Sequence, residues 1–345
     1  MSYPSFDIIR KKFCLLSKRQ FLLVFLLLSC IFYPLMGVIA TPTLEEGKKL
    51  LQEEKPKEAK VVLEQVVKAE PKNHEANYLL GFIYALEGDY DKCIKYAKKA
   101  VELEGSNSEY HLWLGRCYSV KAMNSSKIKA PFTAKKGKSE FEKAVELDSA
   151  NLEARFALFQ YHLWASGIAG GDKKKAKELA GIIYKMDRFR GAQAWAAFWE
   201  DERELDKTET YLREAAELDT SSTFRARYSL GYFFQNNKKY DEAVVVYEEI
   251  LKKNPKEMGA LYQICKTYFL AKDSLEKAEA CFKRYLEEEP TKNSPSWAAA
   301  HWRLGMVYDL QGKKDLALIE LKKAVELEPD NKEFKKTLQE VQKKK

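Results

Sequence analysis

Apolar and polar positions alternate with a helical period along most of the chain. In residues 77–104 (NYLLGFIYALEGDYDKCIKYAKKAVELE), apolar residues recur every three or four positions in each half, and Gly88-Asp89 separates the halves. Apolar residues at that spacing line one face of an α-helix, and a Gly-Asp pair favours a turn. The pattern therefore predicts two antiparallel helices joined by a tight turn.

The same unit recurs along the chain at a fixed distance. Gly47, Gly81 and Gly115 are 34 residues apart, as are Tyr84 and Tyr118. A period of that length is typical of paired helices that stack into a solenoid. We expect eight such units, at about residues 40–73, 74–107, 108–151, 152–190, 191–222, 224–257, 258–292 and 298–331.

The last unit, HWRLGMVYDLQGKKDLALIELKKAVELEP, carries glycine, tyrosine, alanine and proline in the order of the tetratricopeptide repeat, and the chain resembles that family from residue 41 onward. The resemblance implies an all-α fold, a right-handed superhelix of about eight repeats with a C-terminal capping helix. Small residues would let paired helices approach, and prolines would end the second helix. The residues given these structural roles are Gly47, Gly81, Tyr84, Gly115, Tyr118, Gly231, Ala243, Pro255, Gly305, Tyr308, Ala317 and Pro329.

Two stretches depart from the regular unit. The third unit has about ten extra residues (about 119–136), which predict a projecting loop, and Gly167, Gly170 and Gly171 interrupt the fourth. This combination resembles a loose group of bacterial exported tetratricopeptide proteins. The expected organisation is a leader at 1–40, repeats one to three at 41–151, irregular repeats four and five at 152–222, repeats six to eight at 224–331, and the capping helix at 332–345.

The first 40 residues predict membrane targeting by an N-terminal apolar helix. Residues 1–20 carry five basic residues against one acidic residue, and residues 21–40 contain 17 apolar residues and no charge. The basic flank favours the cytoplasmic side, so we expect the repeats to be exported, to the periplasm or envelope of a bacterium. Cleavage after Val38-Ile39-Ala40 would make the segment a signal peptide, whereas retention would make it a transmembrane anchor. A third alternative is a lipoprotein, since Leu27-Leu28-Ser29-Cys30 loosely resembles a lipobox.

Composition and charge give no support to an enzyme or to a nucleic-acid partner. The chain is 46% hydrophobic and 32% charged, and its net charge of +8 falls to +4 without the leader. No nucleophile motif occurs, and His74, His111, His162 and His301 lie in separate repeats without metal-ligand spacing. We therefore expect no catalytic residue, no cofactor and no metal.

The cysteines outside the leader are Cys93, Cys117, Cys265 and Cys281, none of them in a CxxC pair. In an oxidising compartment Cys93 and Cys117 are a conceivable disulfide pair, because they fall in neighbouring repeats. We favour the simpler interpretation, in which each cysteine replaces a small core residue.

In tetratricopeptide proteins the second, fifth, ninth and twelfth positions of each first helix line a concave groove. The resemblance therefore implies a partner-binding groove formed by Tyr78, Phe82, Arg116, Phe156, Gln160, Arg225, Tyr228, Tyr232, Tyr262, Lys266, Phe269 and Trp302. Aromatic rings beside basic residues suit an acidic peptide or helix. We expect a non-catalytic scaffold for other proteins, which also contacts the membrane if its leader is retained. A rigid spacer or self-associating subunit of a membrane complex, and a lipid or small-molecule carrier, are the alternatives.

Overall fold

A computed structural model of the protein describes residues 42–291 and 293–344. This part of the chain consists of α-helices, one 3₁₀ turn at Gly167–Ala169 and short connections, without a β-strand. The apolar leader, with its signal peptide, anchor and Cys30 alternatives, lies outside the described residues. Within them, no helix is long and apolar enough to cross a membrane.

The helices form eight consecutive pairs and a closing helix. They are α1 Leu44–Gln52, α2 Pro56–Ala69, α3 His74–Leu86, α4 Tyr90–Leu103, α5 Ser108–Met123, α6 Ala130–Leu147, α7 Leu152–Trp164, α8 Lys173–Met186, α9 Arg188–Asp201, α10 Leu205–Leu218, α11 Arg225–Asn236, α12 Tyr240–Lys253, α13 Met258–Ala271, α14 Leu275–Leu286, α15 Trp297–Leu310, α16 Lys314–Leu327 and α17 Lys332–Lys343. Each helix packs against its neighbours in the chain, and several odd-numbered helices also touch the next odd-numbered one. The expected all-α solenoid with a capping helix is confirmed, and repeat one is α1–α2, repeat two α3–α4, and so on to repeat eight.

Close packing inside each pair depends on small residues at the predicted signature positions. A Cβ atom on Gly81 would lie 3.3 Å from the carbonyl oxygen of Cys93, and one on Gly115 would lie 2.5 Å from the ring of Phe141. Ala317 is completely buried at the equivalent seam of repeat eight. Because no room is left for a side chain, these glycines set the distance between the paired helices.

The two irregular stretches contain more regular secondary structure than the sequence predicted. In repeat three, α5 continues to Met123 and α6 begins at Ala130, so only residues 124–129 lie outside a helix. The expected loop over 119–136 was therefore too long, because most of the extra residues extend the two helices. In repeat four the connection folds over itself, with the Tyr161 hydroxyl donating to the Ala169 carbonyl at 2.5 Å.

Two disulfide bonds join neighbouring helices. Cys93 and Cys117 connect repeat two to repeat three with a Cα–Cα distance of 5.9 Å, and Cys265 and Cys281 connect the helices of repeat seven at 5.2 Å. Cys93, Cys117 and Cys265 are buried, as core positions should be. The preference for four unpaired core cysteines was wrong, because the helix pairing that buries them also brings them within bonding distance.

Overpacking a helix seam tests the role of the small residues. We expect Gly115→Leu to destabilise the protein by about 1–3 kcal/mol, because the new side chain would collide with the buried Phe141. Gly167→Leu is the control, since no atom lies within 4 Å of a Cβ at that position. Urea unfolding followed by circular dichroism measures both, and equal midpoints for the two variants would contradict the close-packing argument.

Removing one disulfide tests the cross-link between repeats. Cys93 and Cys117 are 24 residues apart, and closing a loop of that size contributes about 3 kcal/mol to stability. Cys93→Ala with Cys117→Ala should therefore lower the urea midpoint, and adding reductant to this variant should affect only the remaining bond. A wild-type midpoint that is unchanged by reductant would show that neither bond supports the fold.

Candidate functional site

The odd-numbered helices α1 to α15 form one face of the solenoid, which we call the inner face. Its N-terminal half, in repeats two to five, and its C-terminal half, in repeats six to eight, differ in the contacts that their side chains make. In repeats two and three the Tyr78 ring stacks on Tyr110 with centroids 5.0 Å apart, and Phe82 lies 5.3 Å from Trp113. Tyr78 and Phe82 are half-buried, and burial raises the pKa of Tyr78. This aromatic cluster joins consecutive first helices and leaves part of the Tyr78, Phe82 and Trp113 side chains accessible, whereas Tyr110 is buried.

A chain of charges crosses repeats three to five. Glu153 lies between two arginines: Arg116 donates to one carboxylate oxygen at 3.1 Å, and Arg190 pairs with the other. The Arg190 guanidinium also lies 5.1 Å from the centre of the Phe156 ring, and Gln160 is half-buried on the same helix as Phe156. These three side chains, one carboxylate between two arginines, carry one net positive charge.

Repeats six and seven form a cavity on the inner face, with a volume of about 630 Å³. The Tyr228 hydroxyl donates to Glu257 at 3.1 Å, and the Gln263 amide donates to the Tyr232 hydroxyl at 3.3 Å. Arg225 stands exposed at the cavity, and among the described residues it has no ion-pair partner. The complete lining is Ser222, Thr223, Arg225, Tyr228, Tyr232, Glu257, Gly259, Gln263, Asn293 and Pro295.

The two tyrosines of this cavity are held in place and remain protonated. A Cβ on Gly259 would lie 2.7 Å from the Tyr228 oxygen, so glycine is needed there for the ring to reach Glu257. Burial raises the pKa of both Tyr228 and Tyr232 above the usual value. Tyr232 is 40% exposed and its oxygen already accepts from Gln263. Its own proton is therefore directed to a ligand or to water.

Three other predicted groove residues lie mainly in the core. Tyr262, Phe269 and Trp302 are each less than one tenth exposed. The Trp302 indole donates to the Thr337 hydroxyl at 3.0 Å, and its ring lies 5.2 Å from Phe334. Trp302 thus fastens the capping helix α17 to repeat eight. These rings present little surface to a ligand, because side chains of later helices cover them.

Two cations lie beside those buried rings. Burial, followed by the nearby charge of Arg303, lowers the pKa of Lys266. The Arg303 guanidinium lies 4.4 Å from the Trp302 ring centre, and its buried Nε has no hydrogen-bond partner in the described residues. No ion pair with a carboxylate involves either side chain within residues 42–291 and 293–344. Lys266 and Arg303 are therefore available to an anionic group.

Two buried histidines form contacts between helices. His111 lies 2.6 Å from Glu140, and His301 lies 2.5 Å from Glu320, each pair joining the two helices of one repeat. Burial lowers the pKa of His162, which favours its neutral form. In the described part of the chain, no group of three or more histidine, cysteine or carboxylate side chains could hold a metal ion.

The family comparison agrees with this architecture. One profile described as "Tetratricopeptide repeat" matches residues 50–117 and 236–304, and a second profile of the same description matches residues 298–331. The fold and these matches identify a repeat protein that serves as an interaction scaffold. Over these residues the chain belongs to the tetratricopeptide repeat family.

Several solved structures are similar to the chain at low identity. MamA is 22% identical, over 50% of this chain and 92% of that one, with a TM-score of 0.39. A tetratricopeptide repeat protein from Parabacteroides merdae is 13% identical over 87% and 97% of the two chains, with a TM-score of 0.42. A thermophilic protein of the family from Thermus thermophilus is 16% identical over 65% and 96%, with a TM-score of 0.39. No curated protein matches the chain.

Sequence reasoning missed Arg190, Glu257 and Arg303 as residues of the inner face. Arg190 occupies the second position of repeat five if that repeat is counted back from α10, but the irregular fourth repeat obscured the count. Glu257 precedes α13 and Arg303 follows the fifth position of its repeat, so neither falls at a predicted groove position. Their side chains reach the inner face from neighbouring positions.

Truncating Trp302 tests its role as an anchor for the capping helix. We expect Trp302→Ala to lower the free energy of unfolding of α17 from repeat eight by about 3–5 kcal/mol, because a buried ring and a hydrogen bond are lost. Hydrogen exchange should become faster throughout α17 and remain unchanged in α1 to α4. Trp297→Ala is the control, since Trp297 is 39% exposed and contacts the Glu288 carbonyl instead. Unchanged exchange in α17 would refute the anchoring role.

Proposed function

We propose that this protein is a non-catalytic scaffold that acts outside the cytoplasm and binds a partner protein through the inner face of repeats six and seven. The main support for this proposal is the cavity at Tyr228 and Tyr232. It combines accessible aromatic surface with the unpaired Arg225 cation and the free Tyr232 proton. Such groups suit a peptide or helix that carries an acidic side chain or a free carboxylate.

Two cations, Lys266 in repeat seven and Arg303 in repeat eight, extend the same preference along the inner face. Lys266 and Arg303 have no carboxylate partner in the described residues, and aromatic rings flank the Arg303 guanidinium. Cations in a partly desolvated setting gain more from an anionic ligand than fully solvated ones do. A partner that begins at Arg225 and continues toward repeat eight would meet the cations of Arg225, Lys266 and Arg303.

Two features support a location outside the cytoplasm. The sequence begins with a basic flank and a 20-residue apolar segment, which is typical of export. The two disulfide bonds require an oxidising compartment to persist. Periplasmic or envelope association in a bacterium, with the leader cleaved or retained, is therefore part of the proposal.

Affinity purification from the envelope fraction tests the proposed groove. Arg225→Ala with Tyr232→Ala removes one exposed cation and one exposed ring from the inner face. The matched control, Val245→Ala with Lys252→Ala, removes an exposed apolar residue and an exposed cation from α12 of the same repeat. We expect the groove variant to retain its partner at least tenfold less well, since such residues dominate interface energies.

The two variants also separate the alternative functions. Equal partner recovery by wild type, groove variant and control would refute the groove and favour a spacer that uses other surfaces. A co-purified small molecule that is lost from the groove variant, without any lost protein, would favour the carrier. Circular dichroism must first show the same helicity for all three proteins.

A further inference from the structure

The two irregular stretches of repeats three and four carry the most exposed apolar side chains of the described residues. Met123, Ile128 and Phe132 come from the first stretch, and Trp164 and Ile168 from the second. Their exposed fractions range from 62% for Trp164 to 84% for Met123. We call these five residues the insertion patch. A soluble surface rarely leaves a concentration of large apolar side chains exposed without a use for it.

The two stretches meet at one edge of the solenoid. The 3₁₀ turn at Gly167–Ala169 packs against α6, whose first turn carries Phe132. Ala134 and Ala165 both pack against the core cluster that contains Tyr161. The patch is therefore a single region assembled from two insertions rather than a set of scattered residues.

The surroundings of the patch are strongly basic. Residues 119–139 contain six lysines and no acidic residue. Lys127, Lys129 and Lys135 are exposed, and none of them forms an ion pair within the part of the chain that the structure describes. Beside the second stretch, Asp172 is occupied in capping α8, where it accepts from the Lys174 and Lys175 amides. The unpaired lysines of the first stretch thus place positive charge beside the exposed apolar side chains.

We propose that the insertion patch docks the solenoid on an anionic lipid membrane surface. Apolar side chains that include tryptophan and phenylalanine enter the boundary between headgroups and acyl chains, while neighbouring lysines attract anionic headgroups. A protein partner fits less well, because lysine is depleted in protein interfaces. The contact involves only residues of repeats three and four, so it is separate from the groove of repeats six and seven.

Tryptophan quenching by brominated lipids tests this contact in the full-length chain. Of the six tryptophans, only Trp164 and Trp297 are exposed. The vesicles are 70% phosphatidylcholine and 30% phosphatidylglycerol with brominated acyl chains. We expect Trp164→Phe to remove at least half of the lipid-dependent quenching and Trp297→Phe to leave it unchanged. Equal quenching in these two variants would overturn the proposal, even if residues 1–41 hold the chain on the vesicle.

A second pair of variants tests the patch without altering its tryptophan. Ile128→Ser with Phe132→Ser should reduce the quenching of Trp164 about tenfold, whereas Val245→Ser with Ile319→Ser, at exposed apolar positions elsewhere, should not. Vesicles of pure phosphatidylcholine, or 0.5 M salt, should weaken the contact because the lysines then contribute little. Quenching that is unaffected by the patch variant refutes the proposal. The proposal is also refuted if lipid does not quench Trp164 in the wild type and the patch variant loses a protein partner.

Discussion

The close approach of paired helices is the constraint on which the rest of this structure depends. Glycine and alanine occupy the seams, and a methyl group on Gly115 would already collide with the Phe141 ring. Once two helices lie that close, their apolar faces are covered by each other and by the next pair. The remaining face of each odd-numbered helix is then exposed in a regular series, and side chains from consecutive repeats meet there.

That series explains why the inner face holds both structural and binding groups. Neighbouring first helices interact through Tyr78 and Tyr110, and through Arg116 and Glu153. Where another helix covers a ring, as the capping helix α17 does at Trp302, the residue stabilises the solenoid. Where glycine occupies the second position of the next repeat, as at Gly259, space opens and a cavity forms. One repeat geometry thus produces closed and open stretches, depending on the size of a few side chains.

The sequence predicted the fold more fully than it predicted the site. Helical periodicity and the 34-residue spacing were sufficient for eight pairs and a cap, because each seam is local and repeats its small residues. The same register brought Tyr228, Tyr232 and Arg225 to one cavity. It did not reveal that Tyr262 would be buried, since burial depends on how the next helix packs. Nor did it reveal the Cys265–Cys281 bond, which depends on the rotation of α13 against α14.

Site-specific photocrosslinking in cells tests the central claim, which is that the inner face of repeats six and seven binds a protein. A photoreactive amino acid at position 232 replaces an exposed inner-face tyrosine, and one at position 245 replaces an exposed valine on α12. The account predicts a discrete adduct with one partner protein from position 232 and none with that partner from position 245. Adducts with the same protein from both positions, or from position 245 alone, would contradict it.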